Sequence, residues 1–202
     1  MAIADYTKAI ELDPTGAFYY GNRGLAYSDA GQHDLAISDY TRAIELDPTD
    51  ARYYNFRGYD YNETEALDLA ITDFSRAIEL DPDCAPAYAN RGQAYGQKGE
   101  YDLAISDCTK AIKLDPKLAL AYSNRASGYL QKAQYDLAIA DSSTAIELDP
   151  DLDKAYLVRA LAYSVYTPMR TNALADFEKA LSLTDDPELI DLIETEIENL
   201  SP

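Results

Sequence analysis

The sequence predicts an all-α protein, a solenoid of antiparallel helix pairs with about twelve helices, and three observations carry that expectation. The tetrapeptide ELDP ends at Pro14, Pro48, Pro82 and Pro150, and KLDP ends at Pro116, so that the chain repeats in steps of 34 residues. Within each step the packing positions recur at i, i+3, i+4 and i+7, as at Tyr20, Arg23, Gly24 and Tyr27 and again at Ala36, Tyr40, Ala43 and Ile44. The composition, 47% apolar and 26% charged, is that of a chain able to bury a core, which excludes disorder.

Residues 1–16 form a leader whose apolar face includes Ile3, Tyr6 and Ile10. Met1 stands where Leu35, Leu69, Leu103 and Leu137 stand in the repeats. The leader therefore reads as the unpaired second helix of a truncated repeat, and the chain as a fragment of a longer array or a deliberately trimmed one. Five repeats follow, 17–50, 51–84, 85–118, 119–152 and 153–186. In the first of them Gly31 separates two helices, and the second must stop near Leu46 because the residue before Pro48 is pushed out of the helical region. Gly31 and Gly99 suit a left-handed turn, whereas Glu65 and Ala133 take the same place at some cost. In the last repeat Ala173 and Ala180 come one residue late, which puts an extra residue in the loop around Thr167 and Pro168. The tail, 187–202, reads as a capping helix with Asp186 as N-cap, Pro187 in the first turn and Leu189, Ile190, Ile193, Ile197 and Leu200 on one apolar face.

The segment AFYYGNRGLAYSDAGQHDLAISDYTRAIELDP resembles a tetratricopeptide repeat in period, in its aromatic and small positions and in its closing proline. The likeness recurs in all five repeats. Tyr20, Tyr54, Tyr88, Tyr122 and Tyr156 occupy the family's usual tryptophan place, and Tyr27, Tyr61, Tyr95, Tyr129 and Tyr163 its second aromatic place. Ala36, Ala70, Ala104 and Ala138, with Ala43, Ala77, Ala111 and Ala145, fill its small positions. The resemblance implies a right-handed superhelix, with first helices lining a concave groove and second helices forming the convex back.

Seventeen Lys and Arg against 36 Asp and Glu give a net charge of -19, a field that repels phosphate backbones and anionic lipid surfaces. Nucleic acid is not an expected partner, and without a spanning apolar run or a signal-type N-terminus neither is membrane insertion. These features predict a soluble, cytoplasmic protein. Cys84 and Cys108 make no disulfide framework, and one histidine, His33, supports neither a zinc cluster nor an acid–base arrangement. No phosphate-binding glycine loop is present. Catalytic residues, metal sites and cofactors are expected to be none, and His33, aligned with Tyr101 and Tyr135, reads as an amphipathic loop residue.

Two charged columns run along the repeats: Arg23, Arg57, Arg91, Arg125 and Arg159, and Asp5, Asp39, Asp73, Asp107, Asp141 and Asp176. Both lie between core positions and face inward, where charges need partners. A ladder of Arg–Asp bonds follows, pairing either within repeats, which leaves Asp5 single, or toward the preceding repeat, which leaves Asp176 single. Most tetratricopeptide repeats carry an apolar residue at the Arg place.

A third column, Asn22, Asn90 and Asn124, interrupted by Phe56 and Val158, is placed on the concave wall by the resemblance. A primary amide donates and accepts, so such a row either grips the backbone of an extended peptide or ties neighbouring first helices together. Similar rows line the grooves of peptide-binding relatives, including the repeat domain of O-linked N-acetylglucosamine transferase. The family's clamp for acidic chaperone tails is incomplete here. Asn124 and Lys154 match it, while Val158 replaces its Arg and Ala89 and Gln93 replace its leading Lys and Asn. The expected groove is nearly neutral, with Arg52 and Lys154 against Asp29 and Glu63, and its apolar members are Phe18, Leu25, Phe56, Tyr59, Leu120, Leu130, Leu157, Val158 and Leu161.

The repeat 51–84 departs most from the others. Asp60 replaces the small residue of Ala26, Ala94, Gly128 and Ala162, with Arg57 or Arg91 as its expected partner, and Phe56 and Tyr59 form a candidate anchor pocket. The reading is a non-enzymatic adaptor that binds an extended or helical peptide through Asn22, Asn90, Asn124, Phe56, Tyr59, Arg52 and Lys154. Rival readings are a scaffold that dimerises or assembles end to end through the leader helix, the recruiting arm of a larger enzyme, and a designed repeat scaffold.

Overall fold

The structure is a computed structural model that describes residues 2–165 and 169–200. Twelve α-helices and no strand occur among the described residues. The chain divides into two compact units, 1–98 and 99–202. The N-terminal unit holds α1 (Ala2–Leu12), α2 (Ala17–Ser28), α3 (His33–Leu46), α4 (Ala51–Glu63), α5 (Leu67–Leu80) and α6 (Ala85–Gln97). In the C-terminal unit are α7 (Tyr101–Leu114), α8 (Ala119–Gln131), α9 (Tyr135–Leu148), α10 (Asp153–Ser164), α11 (Arg170–Leu183) and α12 (Pro187–Leu200). Within each unit successive helices pack on one another, most tightly as the pairs α2/α3, α4/α5, α8/α9 and α10/α11.

The pairs are antiparallel: Arg23 of α2 meets Asp39 of α3, while Tyr20, one turn earlier, meets Arg42, later in α3. As expected from the prolines, α3, α5, α7 and α9 all end at the leucine of their ELDP or KLDP segment. The following Asp turns the chain by accepting the backbone N–H two residues on, as Asp47 does from Thr49 at 3.0 Å. A left-handed residue follows each described first helix up to the fourth repeat: Gly31 and Gly99 at φ 69° and 78°, and Glu65 and Ala133 at 59° and 55°. The last two carry the strain that glycine avoids.

Close approach within a pair rests on small residues. A methyl group on Gly24 would lie 2.8 Å from the Tyr40 ring, and one on Gly58 would lie 2.8 Å from Phe74. Ala36, Ala43, Ala70, Ala77, Ala104, Ala111, Ala138 and Ala145 are buried as expected. At the C-terminal end Ile193 of α12 is fully buried on Leu157, Phe177 and Ala180, with Leu189, Ile197 and Leu200 around it. Asp186 accepts from the Glu188 N–H at 3.0 Å and starts that helix.

The Arg–Asp ladder pairs within repeats. Arg23–Asp39, Arg57–Asp73, Arg125–Asp141 and Arg159–Asp176 are bidentate, with every N–H···O distance between 2.6 and 2.8 Å. Asp5 of α1 is exposed. Arg159 and Asp176 are 17 residues apart where the other three pairs are 16 apart, so the extra residue lies between α10 and α11. Its expected position at Thr167 and Pro168 falls outside the described residues.

The structure adds a hydroxyl column to the charged ones. The Nη1 of Arg23, Arg57, Arg91, Arg125 and Arg159 donates to Thr7, Thr41, Ser75, Thr109 and Ser143 at 3.0–3.2 Å, one repeat back. Thr7, Thr41, Ser75 and Ser143 give their own proton to a carbonyl four residues earlier, so the oxygen accepts from Arg. Each guanidinium also lies 5.7–5.9 Å from the rings of its two column tyrosines. The signal for this column in the sequence is a period of 34 in Ser and Thr. It is a weak signal, because hydroxyl residues on helices usually cap or face solvent.

Candidate functional site

The first helices of the N-terminal unit, α2, α4 and α6, stand side by side and form one wall. A cavity of about 450 Å³ opens on it between Leu25, Phe56 and Tyr59, with Tyr40 of α3 behind and Ser28, Asp29, Asn55 and Asn90 as polar lining. A smaller hollow of about 60 Å³, bounded by Phe18, Asn22 and Arg52, adjoins it and shares Leu25 and Phe56. Four of the expected groove residues, Phe18, Leu25, Phe56 and Tyr59, therefore come together. Phe18, Leu25 and Tyr59 are 58%, 40% and 44% exposed, which leaves apolar surface open on the wall. Phe56 is steadied by the Tyr40 ring at 5.7 Å.

The amides are more engaged than a peptide-gripping row requires. Asn22 donates to the Phe18 carbonyl of its own helix at 2.7 Å. Asn90 of α6 donates to Oδ1 of Asn55 of α4 at 3.2 Å, which realises the helix-tying alternative at that position. Asn55 is buried and lines the cavity, yet no column singled it out. Asn124 sits half-buried on α8 of the C-terminal unit.

Charge on this wall differs from the expected balance. Arg52 turns onto Asp50, with Nη2 at 2.6 Å and Nε at 3.0 Å, and that guanidinium holds the Asp50 carboxyl below its ordinary range. Its charge is thus offset locally and does not balance Asp29 or Glu63. Lys154 is exposed on α10, in the C-terminal unit. Leu157 and Val158 are not groove anchors. Leu157 packs under α12, and Val158 is buried with Ala126, Ala138 and Ala162, because neighbouring helices cover that face of α10.

Asp60 is fully buried, and its expected partners are corrected. Arg57, three residues earlier on α4, points to the other side and is taken by Asp73. Instead Ser28 donates to Oδ1 of Asp60 at 2.9 Å, and Nδ1 of His33 shares a 2.6 Å hydrogen bond with the same oxygen. Oδ2 has no partner. His33 is therefore not an amphipathic loop residue: it opens α3 and ties the first pair to α4. Antiparallel pairing brings the end of α2 and the start of α3 to one turn, and stacking sets α4 beside both. Burial raises the Asp60 carboxyl above its ordinary value, against the pull of His33 and Ser28. The Ser28 hydroxyl faces a carboxylate and not the imidazole, so the trio joins helices and does not form a nucleophile–imidazole relay.

Among the described residues no group of three or more His, Cys, Asp or Glu could hold a metal ion. Within the same residues no helix is long and apolar enough to cross a membrane.

The chain matches family models described as tetratricopeptide repeat over 17–50, 85–118 and 119–152, and as TPR repeat over 58–99. No curated protein matches it. Among solved structures it is similar to YrrB, a TPR protein with an unusual peptide-binding site, at 23% identity and TM-score 0.62 over 94% of this chain and 97% of that one. MamA is 28% identical with TM-score 0.64, covering 82% of this chain and 90% of that one. A thermophilic TPR protein of Thermus thermophilus, TTC0263, is 19% identical with TM-score 0.76, covering 91% of this chain and 100% of that one. Repeated helix pairs closed by a 34-residue proline period, with family matches along most of that length, establish a repeat scaffold of the protein-interaction class, and the chain belongs to the tetratricopeptide repeat family.

Proposed function

We propose that the chain is a non-enzymatic adaptor that holds a partner's peptide against its first-helix wall, anchored in the cavity between Leu25, Phe56 and Tyr59. The observation that carries this reading is the open apolar surface over a cavity of about 450 Å³, a size usual for ligand sites. Buried neighbours support the wall from behind, so an entering side chain meets a formed surface. Asn22 and Asn90 keep their acceptor oxygens outside their own donor bonds and offer these to peptide N–H groups. In the C-terminal unit Asn124 of α8 and Lys154 of α10 supply polar contacts, and residues 17–186 serve as the five repeats with 187–202 as cap. YrrB, described as having a peptide-binding site, lends the reading a precedent of the same fold.

A peptide-array screen against the whole chain tests it. Phe56→Asn and Tyr59→Ala are expected to weaken the recovered peptides by about tenfold or more while helical content and melting temperature persist. Undiminished binding by Phe56→Asn would show that the anchor lies elsewhere.

A further inference from the structure

We infer that the cavity between α2 and α4 selects a cationic side chain, arginine or lysine, so that the bound peptide is basic at its anchor; this rests on the peptide-binding reading above.

The lining combines aromatic walls with acceptors. Phe56, Tyr59 and Leu25 bound a slot suited to a flexible methylene stem, and the ring faces attract a cation passing over them. Asp29 lies on its rim as an exposed carboxylate, and among the described residues no cationic one lines it. Behind the lining stands a second carboxylate. Asp60 is one hydrogen bond from the lining hydroxyl of Ser28, and its Oδ2 is buried without a partner. Glu63 closes α4 one turn beyond Tyr59, again exposed.

The nearby positive charges do not cancel these. Arg52, in the adjoining hollow, is bound through two nitrogens to Asp50, and Lys98 at the end of α6 is bound to Asp68 at 2.6 Å. His33 is the basic partner of Asp60. The negative field is felt at the phenols: burial raises the Tyr59 hydroxyl's pKa, and Glu63, Asp60 and Asp29 raise it further.

An apolar anchor would fill the slot but leave Asp29 facing a desolvating neighbour, and an acidic anchor would meet the Asp29 carboxylate. A guanidinium or ammonium keeps its stem on the rings and its charge at the rim. The chain's net charge of -19 steers basic partners toward it in the same sense.

The test uses four pentapeptides, Ac-Ala-Leu-X-Leu-Ala-NH2 with X as arginine, lysine, norleucine or glutamate, titrated into the isotope-labelled whole chain and followed by backbone amide shifts. Arginine and lysine peptides are expected to bind about tenfold tighter than norleucine, with shifts centred on Leu25, Phe56 and Tyr59, and glutamate more weakly than all. Asp29→Asn, at an exposed position, should bring the arginine peptide down to the norleucine level. If norleucine binds as tightly as arginine, or Asp29→Asn changes nothing, the cationic preference is wrong while the peptide site stands. Should no peptide shift this wall, both readings fall.

Discussion

Asp60 of α4 and His33 of α3 share a 2.6 Å hydrogen bond across the boundary between the first two repeats, and the carboxylate is fully buried. At the equivalent place other repeats have Ala26, Ala94, Gly128 and Ala162, so a charge stands on a column built for close packing. Asp60→Ala is expected to stabilise the fold by about 1 kcal/mol near neutral pH, since burying a carboxylate with one unpartnered oxygen costs more than its two bonds return. The pH sign follows from the raised carboxyl. The folded state holds that proton more tightly than the unfolded chain, so Asp60's contribution is most favourable below the usual 3.8 and is lost as pH rises through the folded value. The gain from Asp60→Ala should therefore be larger at about pH 7 than at about pH 4 in urea denaturation. An equal or smaller gain at the higher pH would mean that His33 and Ser28 outweigh burial.

Ladder variants separate an orphaned charge from a missing pair. Arg125→Ala leaves Asp141 buried and should cost roughly 3 to 5 kcal/mol. Adding Asp141→Ala to Arg125→Ala should recover most of that loss. Recovery is expected because the double variant leaves no buried charge unpaired, and calorimetry of the wild type, the single variant and the double variant checks it.

The hydroxyl column makes a smaller claim. Thr41→Val removes the oxygen that accepts from Arg57 at 3.0 Å and should cost about 1 kcal/mol, whereas Thr41→Ser should cost less. Chemical denaturation of both variants tests whether the bond between repeats contributes to stability.

Turn residues predict gains. Ala133→Gly and Glu65→Gly should each stabilise by about 1 kcal/mol, because both residues adopt a left-handed backbone that a Cβ disfavours. Gly31→Ala should lose a similar amount, although its Cβ would meet nothing within 4 Å, since the strain is in the backbone. Thermal melts of the three variants read these signs directly.

Cys108 is fully buried on α7, and burial pushes its thiol up to about 12. It should resist iodoacetamide at about pH 8 in the native protein and react on unfolding, because the thiolate is the nucleophile. Rapid native labelling at Cys108, read by peptide mass, would contradict the packing of that helix.

The sequence by itself determined the repeat, the helix ends and the existence of the ladder. Those features are local or strictly periodic: the residue before the proline of each ELDP or KLDP segment is pushed out of the helical region, and five inward arginines at one spacing require partners. Tertiary structure alone decided the direction of the ladder, since Asp39 and Asp5 are equally periodic and only the stacking distance chooses Asp39. It also decided the partner of Asp60. His33 lies 27 residues away, at a place where the other repeats have Leu67, Tyr101 and Tyr135, brought there by antiparallel pairing and the step to the next repeat. The charge of the wall was likewise hidden, because counting Arg52 as a groove cation ignores that its side chain folds back onto Asp50. Leu157 and Val158 look like groove residues by period, but burial is set by which helices cover a face, and α12 covers one of them. Period specifies which residues share a face, and packing between helices specifies what that face meets.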